Sequence, residues 1–201
     1  MRRALGAAAW LASVACAGGP VVEGSAYVDP KLGWSIAVPA GGEARWTRVR
    51  VEGADLALRG PGGALMSIEV HCGVPLATPE ILARSLRSGI PDSVMRDQRE
   101  VPIDGRSGWA QTFDAQLAPR SARAVDRAGE LKRGEASAVA RRGAEGGDPQ
   151  AVHVKTVTDV DARCVYDFVL VARSDWPAAE AVFDAWWGSF RAAPKALGAG
   201  G

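Results

Sequence analysis

Val152-His153-Val154-Lys155-Thr156-Val157-Thr158 and Cys164-Val165-Tyr166-Asp167-Phe168-Val169-Leu170-Val171-Ala172, joined through Asp159-Val160-Asp161, are the stretch that decides the fold. β-Branched and aromatic residues dominate both runs, and acidic turn residues stand between them, so the pair reads as an antiparallel hairpin. Successive side chains of a strand point to opposite faces, which sets Cys164, Tyr166, Phe168 and Leu170 on one side. Placing Val152, Val154 and Thr156 on that same side asks for an odd-length loop or a bulge at the turn. His153 then falls on the face opposite Val152, Val154 and Cys164.

Working outward, Leu65-Met66-Ser67-Ile68-Glu69-Val70-His71-Cys72 is a second strong strand, with Met66, Ile68, Val70 and Cys72 sharing a face. Shorter strands are expected over Trp34–Val38, Thr47–Val51 and Asp55–Arg59, with turns at Gly53 and Gly60–Gly63. Thr78-Pro79-Glu80 opens a helix with a hydroxyl cap, a first-position proline and an acid in the first turn. Its buried stripe reads as Ile81, Leu82, Ser85 and Leu86, and Gly89 with Pro91 ends it. Two strands, Arg99–Ile103 and Gly108–Leu117, are expected around Asp104-Gly105. A closing helix starts near Ser174-Asp175-Trp176-Pro177 and carries Ala179, Val182, Phe183, Trp186, Trp187 and Phe190 on one stripe. Strands, helix, strands and helix in that order give an α+β class, a twisted and mainly antiparallel sheet flanked by helices.

The ends have a different character. Arg2 and Arg3, an apolar run from Ala4 to Ala15, and Cys16 after a small residue read as an export signal over residues 1–15. The run is too short to span ~30 Å of hydrocarbon. Ser13-Val14-Ala15-Cys16 resembles the bacterial lipobox with Ser13 in place of the usual Leu. Cys16 is therefore the expected lipidation site, more than one acyl chain giving stable anchoring. Ordinary secretion after an Ala-x-Ala-like cut is the alternative. Ala17 after the cysteine suggests delivery to an outer membrane. Residues 16–26 read as a lipidated tether, 118–150 as a flexible Arg-, Ala- and Gly-rich insertion, and 192–201 as a loose tail. The single domain runs over 27–191.

Removing residues 1–15 takes Arg2 and Arg3 from the 24 Lys+Arg, leaving 22 against 23 Asp+Glu. A nearly neutral domain gives no reason to expect nucleic acid as a partner. With Cys16 acylated, Cys72 and Cys164 remain. Both point with the bulkiest apolar residues of their strands, and an exported chain meets an oxidising compartment. A Cys72–Cys164 disulfide is thus expected, contributing ~4 kcal/mol by loop closure; two separately buried thiols are the alternative.

His71 and His153 are the only histidines. His71 and Cys72 point to opposite faces, and neither CxxC nor HxxxH spacing occurs, so no metal site is expected. Serines lack a nucleophile-elbow context, and Asp159, Asp161 and Asp167 read as turn or outward residues rather than a carboxylate cluster. No catalytic residue and no cofactor are expected. Trp186, Trp187 and Trp46 are the candidate partner or ligand surface, because exposed tryptophans anchor interfaces; packing of both helix tryptophans on the sheet is the competing reading.

Tyr27-x-Asp29, Leu32-Gly33-Trp34-Ser35-Ile36, Pro39, Val101-x-Ile103-Asp104-Gly105 and the closing Phe183, Ser189 and Phe190 together resemble PsbP-like domains. Cys164-Val165-Tyr166-Asp167-Phe168 resembles a strand of bacterial lipoproteins that share that architecture. The resemblance implies an α/β/α sandwich that serves as an extrinsic subunit, chaperone or partner-binding module. Function argued from fold is analogy. The expected role is a lipid-anchored, periplasm-facing envelope protein that binds another envelope component without catalysis. The alternatives are an apolar-ligand or lipid binder, with a pocket lined by Trp34, Phe113, Tyr166 and Trp186, and a hydrolase with an unrecognised site.

Overall fold

A computed structural model of the chain describes residues 19–73, 77–90, 92–117, 150–173 and 175–193. The leader over 1–15, Cys16, all of the 118–150 insertion except Gln150, and the tail from 194 lie outside the described residues.

Strands β1 (Val21–Glu23), β2 (Ala26–Val28) and β3 (Ser35–Ala37) form a small antiparallel sheet. The tether expected over 16–26 is thus partly strand, since Val21 pairs with Val28 and Glu23 with Ala26. Exposed valines at 21 and 22 gave no alternation to mark it.

A short helical turn, α1 (Gly42–Arg45), leads into the main sheet. Its strands are β4 (Thr47–Val49), β5 (Leu56–Arg59), β6 (Leu65–Cys72), β7 (Val94–Ile103), β8 (Arg106–Leu117), β9 (Gln150–Val160) and β10 (Cys164–Ala172). They lie in the order β4-β5-β6-β10-β9-β8-β7, antiparallel throughout. Helix α2 (Pro79–Ser88) packs on β8 and β9 from one side, and α3 (Trp176–Gly188) on β9, β10 and β3. The expected α+β class, with a mainly antiparallel sheet between helices, is the architecture.

The β9–β10 hairpin corrects the expected register. Tyr166 pairs with Asp159, Phe168 with Val157 and Leu170 with Lys155, without a shift. Four residues separate the closing pair Val160–Val165, so the loop is even. Val152, Val154 and Thr156 therefore face away from Tyr166 and Phe168, while His153 shares the face of Cys164. A helix covers each side, so β9 is buried on both faces and polar residues such as Lys155 and Asp159 occupy inward positions; its pattern does not say which residues go where.

On the α3 side, Tyr27, Trp34 and Ile36 close over Met66, Ile68, Tyr166, Phe168, Phe183, Trp186 and Phe190. Rings of Tyr166 and Phe168 stand 4.8 and 5.1 Å from that of Phe190. On the α2 side the apolar set is smaller: Phe113, Ala115, Val152 and Val154. Thr78 caps α2 as expected, its hydroxyl accepting from the Ile81 N–H. The stripe differs, however: Ala83 is buried while Ile81 is 56% exposed. Facing a small residue to the sheet lets the helix axis come close to β8 and β9, so side-chain size outweighs hydrophobicity there.

β7 starts at Val94, five residues before the expected Arg99, because Arg96, Asp97 and Gln98 have no apolar alternation. It is an edge strand, and its charges and a register shift between Met95 and Asp97 are features that keep edges from pairing further. Asp104 and Gly105, at φ 49° and 74°, close the β7–β8 hairpin with two left-handed residues.

Candidate functional site

Cys72 and Cys164 are cross-strand partners in β6 and β10 with Cα atoms 4.0 Å apart, and they are disulfide-bonded. The bond joins two neighbouring strands separated by 92 residues in sequence. The expected pairing is present.

The two histidines lie on opposite faces. His71 pairs across the sheet with Val165, and its Nε2 is 3.2 Å from Glu69 Oε1. His153 lies on the α3 side, its Nδ1 2.7 Å from Asp114 Oδ1 and its ring 5.3 Å from that of Trp176. Hydrogen bonds from Arg96 and His153 hold the Asp114 carboxyl below its usual range. Among the described residues no group of three His, Cys, Asp or Glu side chains is placed to hold a metal ion.

The three aspartates around the β9–β10 turn do not converge. Asp159 is buried and takes a forked ion pair from Arg106, whose Nη1 also donates to Asp104 at 3.0 Å. Burial raises the Asp159 pKa, with Arg106 opposing. Asp161 caps its own loop, accepting the N–H groups of Arg163 and Cys164 at 2.7 and 2.8 Å and the Tyr166 hydroxyl at 2.8 Å. Burial opposes its ionisation, but these bonds hold it below its usual range. Asp167 faces the α2 side, where it accepts from Thr158 Oγ1 at 2.6 Å and is raised by burial.

Sequence reading missed Lys155. The residue is 2% exposed, and its Nζ donates at 2.8 Å to both Glu180 and Asp184 of α3. The spacing of Glu180 and Asp184, four residues apart on an otherwise apolar helix, was the available signal. The lysine fastens helix to sheet, and the two acids of α3 satisfy its buried ammonium.

Of the three candidate surface tryptophans, Trp186 and Trp46 are buried, at 1% and 2% exposure, and only Trp187 is half-buried, its Nε1 donating to Asp184 at 2.9 Å. Trp186 fills the space over Phe168, centroid to centroid 6.2 Å. Trp46 lies against Gly60 and lines a pocket between α1 and the start of α3. Trp34, Tyr166 and Trp186 pack in one cluster while Phe113 belongs to the other face, so these four line no common cavity. Among the described residues no helix is long and apolar enough to cross a membrane.

The solution structure of cyanobacterial PsbP (CyanoP) from Synechocystis sp. PCC 6803 matches 89% of this chain and 98% of its own, with TM-score 0.51 and 17% identity. The fold is PsbP-like. A crystal structure from Bacteroides thetaiotaomicron VPI-5482 matches at TM-score 0.48 and 11% identity, covering 87% of this chain and 50% of that one. No family model matches the chain, and no curated protein sequence matches it.

The motif residues of the PsbP-like resemblance have structural work in this chain. Asp29 turns the β2–β3 connection by accepting the N–H groups of Lys31 and Leu32 at 2.8 and 2.6 Å. Ser189 Oγ accepts the Ala37 N–H at 2.9 Å, and Ser35 exchanges backbone bonds with Arg191, which docks β3 on the end of α3. Asp104 Oδ2 takes the Ala192 N–H at 3.0 Å, tying the β7–β8 turn to the same place. These hydrogen bonds hold β2, β3, the β7–β8 turn and the end of α3 together.

Proposed function

We propose that this chain is a lipid-anchored envelope protein whose PsbP-like domain binds another envelope component without catalysing a reaction. The Cys72–Cys164 bond carries the reading, since such bonds persist in oxidising compartments. Arg2, Arg3, the apolar run and Cys16 supply the route and the anchor. The titratable groups of the domain support a scaffold role: Lys155, Arg106, Asp159, Asp161 and Asp167 are each engaged by neighbouring elements of the fold.

Intact-mass measurement of the protein from membranes tests this directly. The expected species starts at Cys16, carries acyl mass on it, and is two protons lighter than the dithiol form. A full-length chain from Met1 with free Cys72 and Cys164 in the soluble cell interior overturns the reading. Crosslinking in intact envelopes, compared with Cys16→Ala, then tests the partner: enrichment of one envelope component over that control is expected, and none counts against a binding role.

A further inference from the structure

Trp46 follows α1 with its ring pressed on Gly60, where an added Cβ would stand 2.5 Å from the ring. Beside it, α1, the turn Pro61–Gly63 and the start of α3 enclose a pocket of about 200 Å³. Trp46, Ala178, Ala179 and Val182 supply apolar lining, and the exposed Arg45 and Asp175 complete it.

Among the described residues, neither charge has an ion-pair partner. The Arg45 stem lies across Gly41, which has φ 90° and where a Cβ would come within 2.5 Å of Cδ. Asp175 stands at the N-cap of α3, a place where Asp ordinarily accepts a helix N–H. Here its φ of 55° turns it into the left-handed region, and its side chain makes no capping bond.

The volume lies below the roughly 300 Å³ at which small-molecule and cofactor pockets begin, and it suits one side chain. Charges of opposite sign cancel at a distance, so the site offers no pull on an anionic lipid surface or a nucleic acid. Apolar walls with a charged, solvated rim are the anatomy of an interface anchor point. We propose that this pocket seats one bulky apolar side chain of a partner protein, flanked in that partner by an acid facing Arg45 and a base facing Asp175. The proposal rests on the binding-module reading above and supplies that reading with a site.

The test titrates end-blocked Gly-Ser-Asp-Phe-Lys-Ser-Gly and Gly-Ser-Lys-Phe-Asp-Ser-Gly into the ¹⁵N-labelled full chain, following the Trp46 indole and the Ala178 and Ala179 amides. One order is expected to bind saturably and several-fold tighter than the other, because rim charges select orientation. Replacing Phe by Ala in the peptide weakens binding about tenfold or more, the usual size of losing an anchor. Ala178→Trp, which fills the pocket, abolishes the shifts, and Arg45→Asp with Asp175→Arg reverses the preferred order. Absent shifts at about 10 mM peptide, beyond the millimolar range of weak binding, overturn the proposal. Equal shifts for Phe and Ala peptides, or an order preference that survives the charge exchange, do the same. Cys16 takes no part in this titration, so a negative result leaves the anchor intact, and an unacylated Cys16 leaves the titration unaffected.

Discussion

The α3 side of the main sheet and the α2 side solve the same problem with different materials. The cluster on the α3 side holds eight buried aromatic residues, Tyr27, Trp34, Trp46, Tyr166, Phe168, Phe183, Trp186 and Phe190, with the small N-terminal sheet contributing Tyr27. Beneath α2, one ring, Phe113, meets Ala115, Val152 and Val154, and Ala83 is the buried helix residue. The first side gains from large buried area and must fill space between rings; the second gains from close approach. Buried charge follows the same division. On the α3 side Lys155 and Asp159 are matched by Glu180, Asp184 and Arg106, whereas on the α2 side Asp167 accepts from the uncharged Thr158 hydroxyl, with His71 adding a weaker electrostatic contribution. A sheet with two covered faces thus has one face that holds the fold together and one that is less completely furnished.

The largest effect expected from this contrast is at the rings. Phe168→Ala, which leaves a void facing Trp186 and Phe190, is expected to cost about 5 kcal/mol, the top of the range for such truncations. Phe113→Ala, among smaller neighbours, belongs near 3 kcal/mol. Denaturant unfolding of both variants measures the difference, and an equal or larger loss at Phe113 breaks the comparison. Next comes the disulfide. Replacing Cys72 and Cys164 together with alanine is expected to remove about 4 kcal/mol by restoring freedom to the unfolded loop. A loss below about 1 kcal/mol would mean that the β6–β10 pairing stands without it.

The smallest effect probes the α2 side. Burial raises the Asp167 carboxyl pKa, so its charge is less favourable in the folded than in the unfolded chain. With the folded pKa above the unfolded one, the parent gains stability as pH falls through the folded value toward about 3.8, and gains no more below it. Asp167→Asn keeps an acceptor for Thr158 and removes the charge. It is expected to be more stable than the parent at pH 7, by less than either loss above, with the advantage narrowing toward pH 4. An advantage that is flat with pH would show that Asp167 is not the source.

Several features were legible without coordinates because local chemistry decides them. Thr78-Pro79-Glu80 starts a helix wherever it is placed, and the β6 and β10 alternation put Cys72 and Cys164 on one face before their pairing was seen. The candidate surface was poorly legible. An aromatic stripe has the same spacing whether it fills a core or lines an interface, so Trp186 and Trp46 could not be told from Trp187. Lys155 went unmarked because its two acids come from a helix 25 and 29 residues away.

By itself, the order of residues determined most strands of the main sheet, the capped helix, the α+β class and the facing cysteines. Each of these follows from periodicity, backbone preference or short-range hydrogen bonding. Only the tertiary structure decided which face of β9 meets α3, how α2 rotates onto Ala83, which tryptophans are hidden, and that Arg45 and Asp175 border one pocket. Those outcomes depend on packing between segments distant in the chain, where shape and charge matching select among arrangements that the local pattern leaves equivalent.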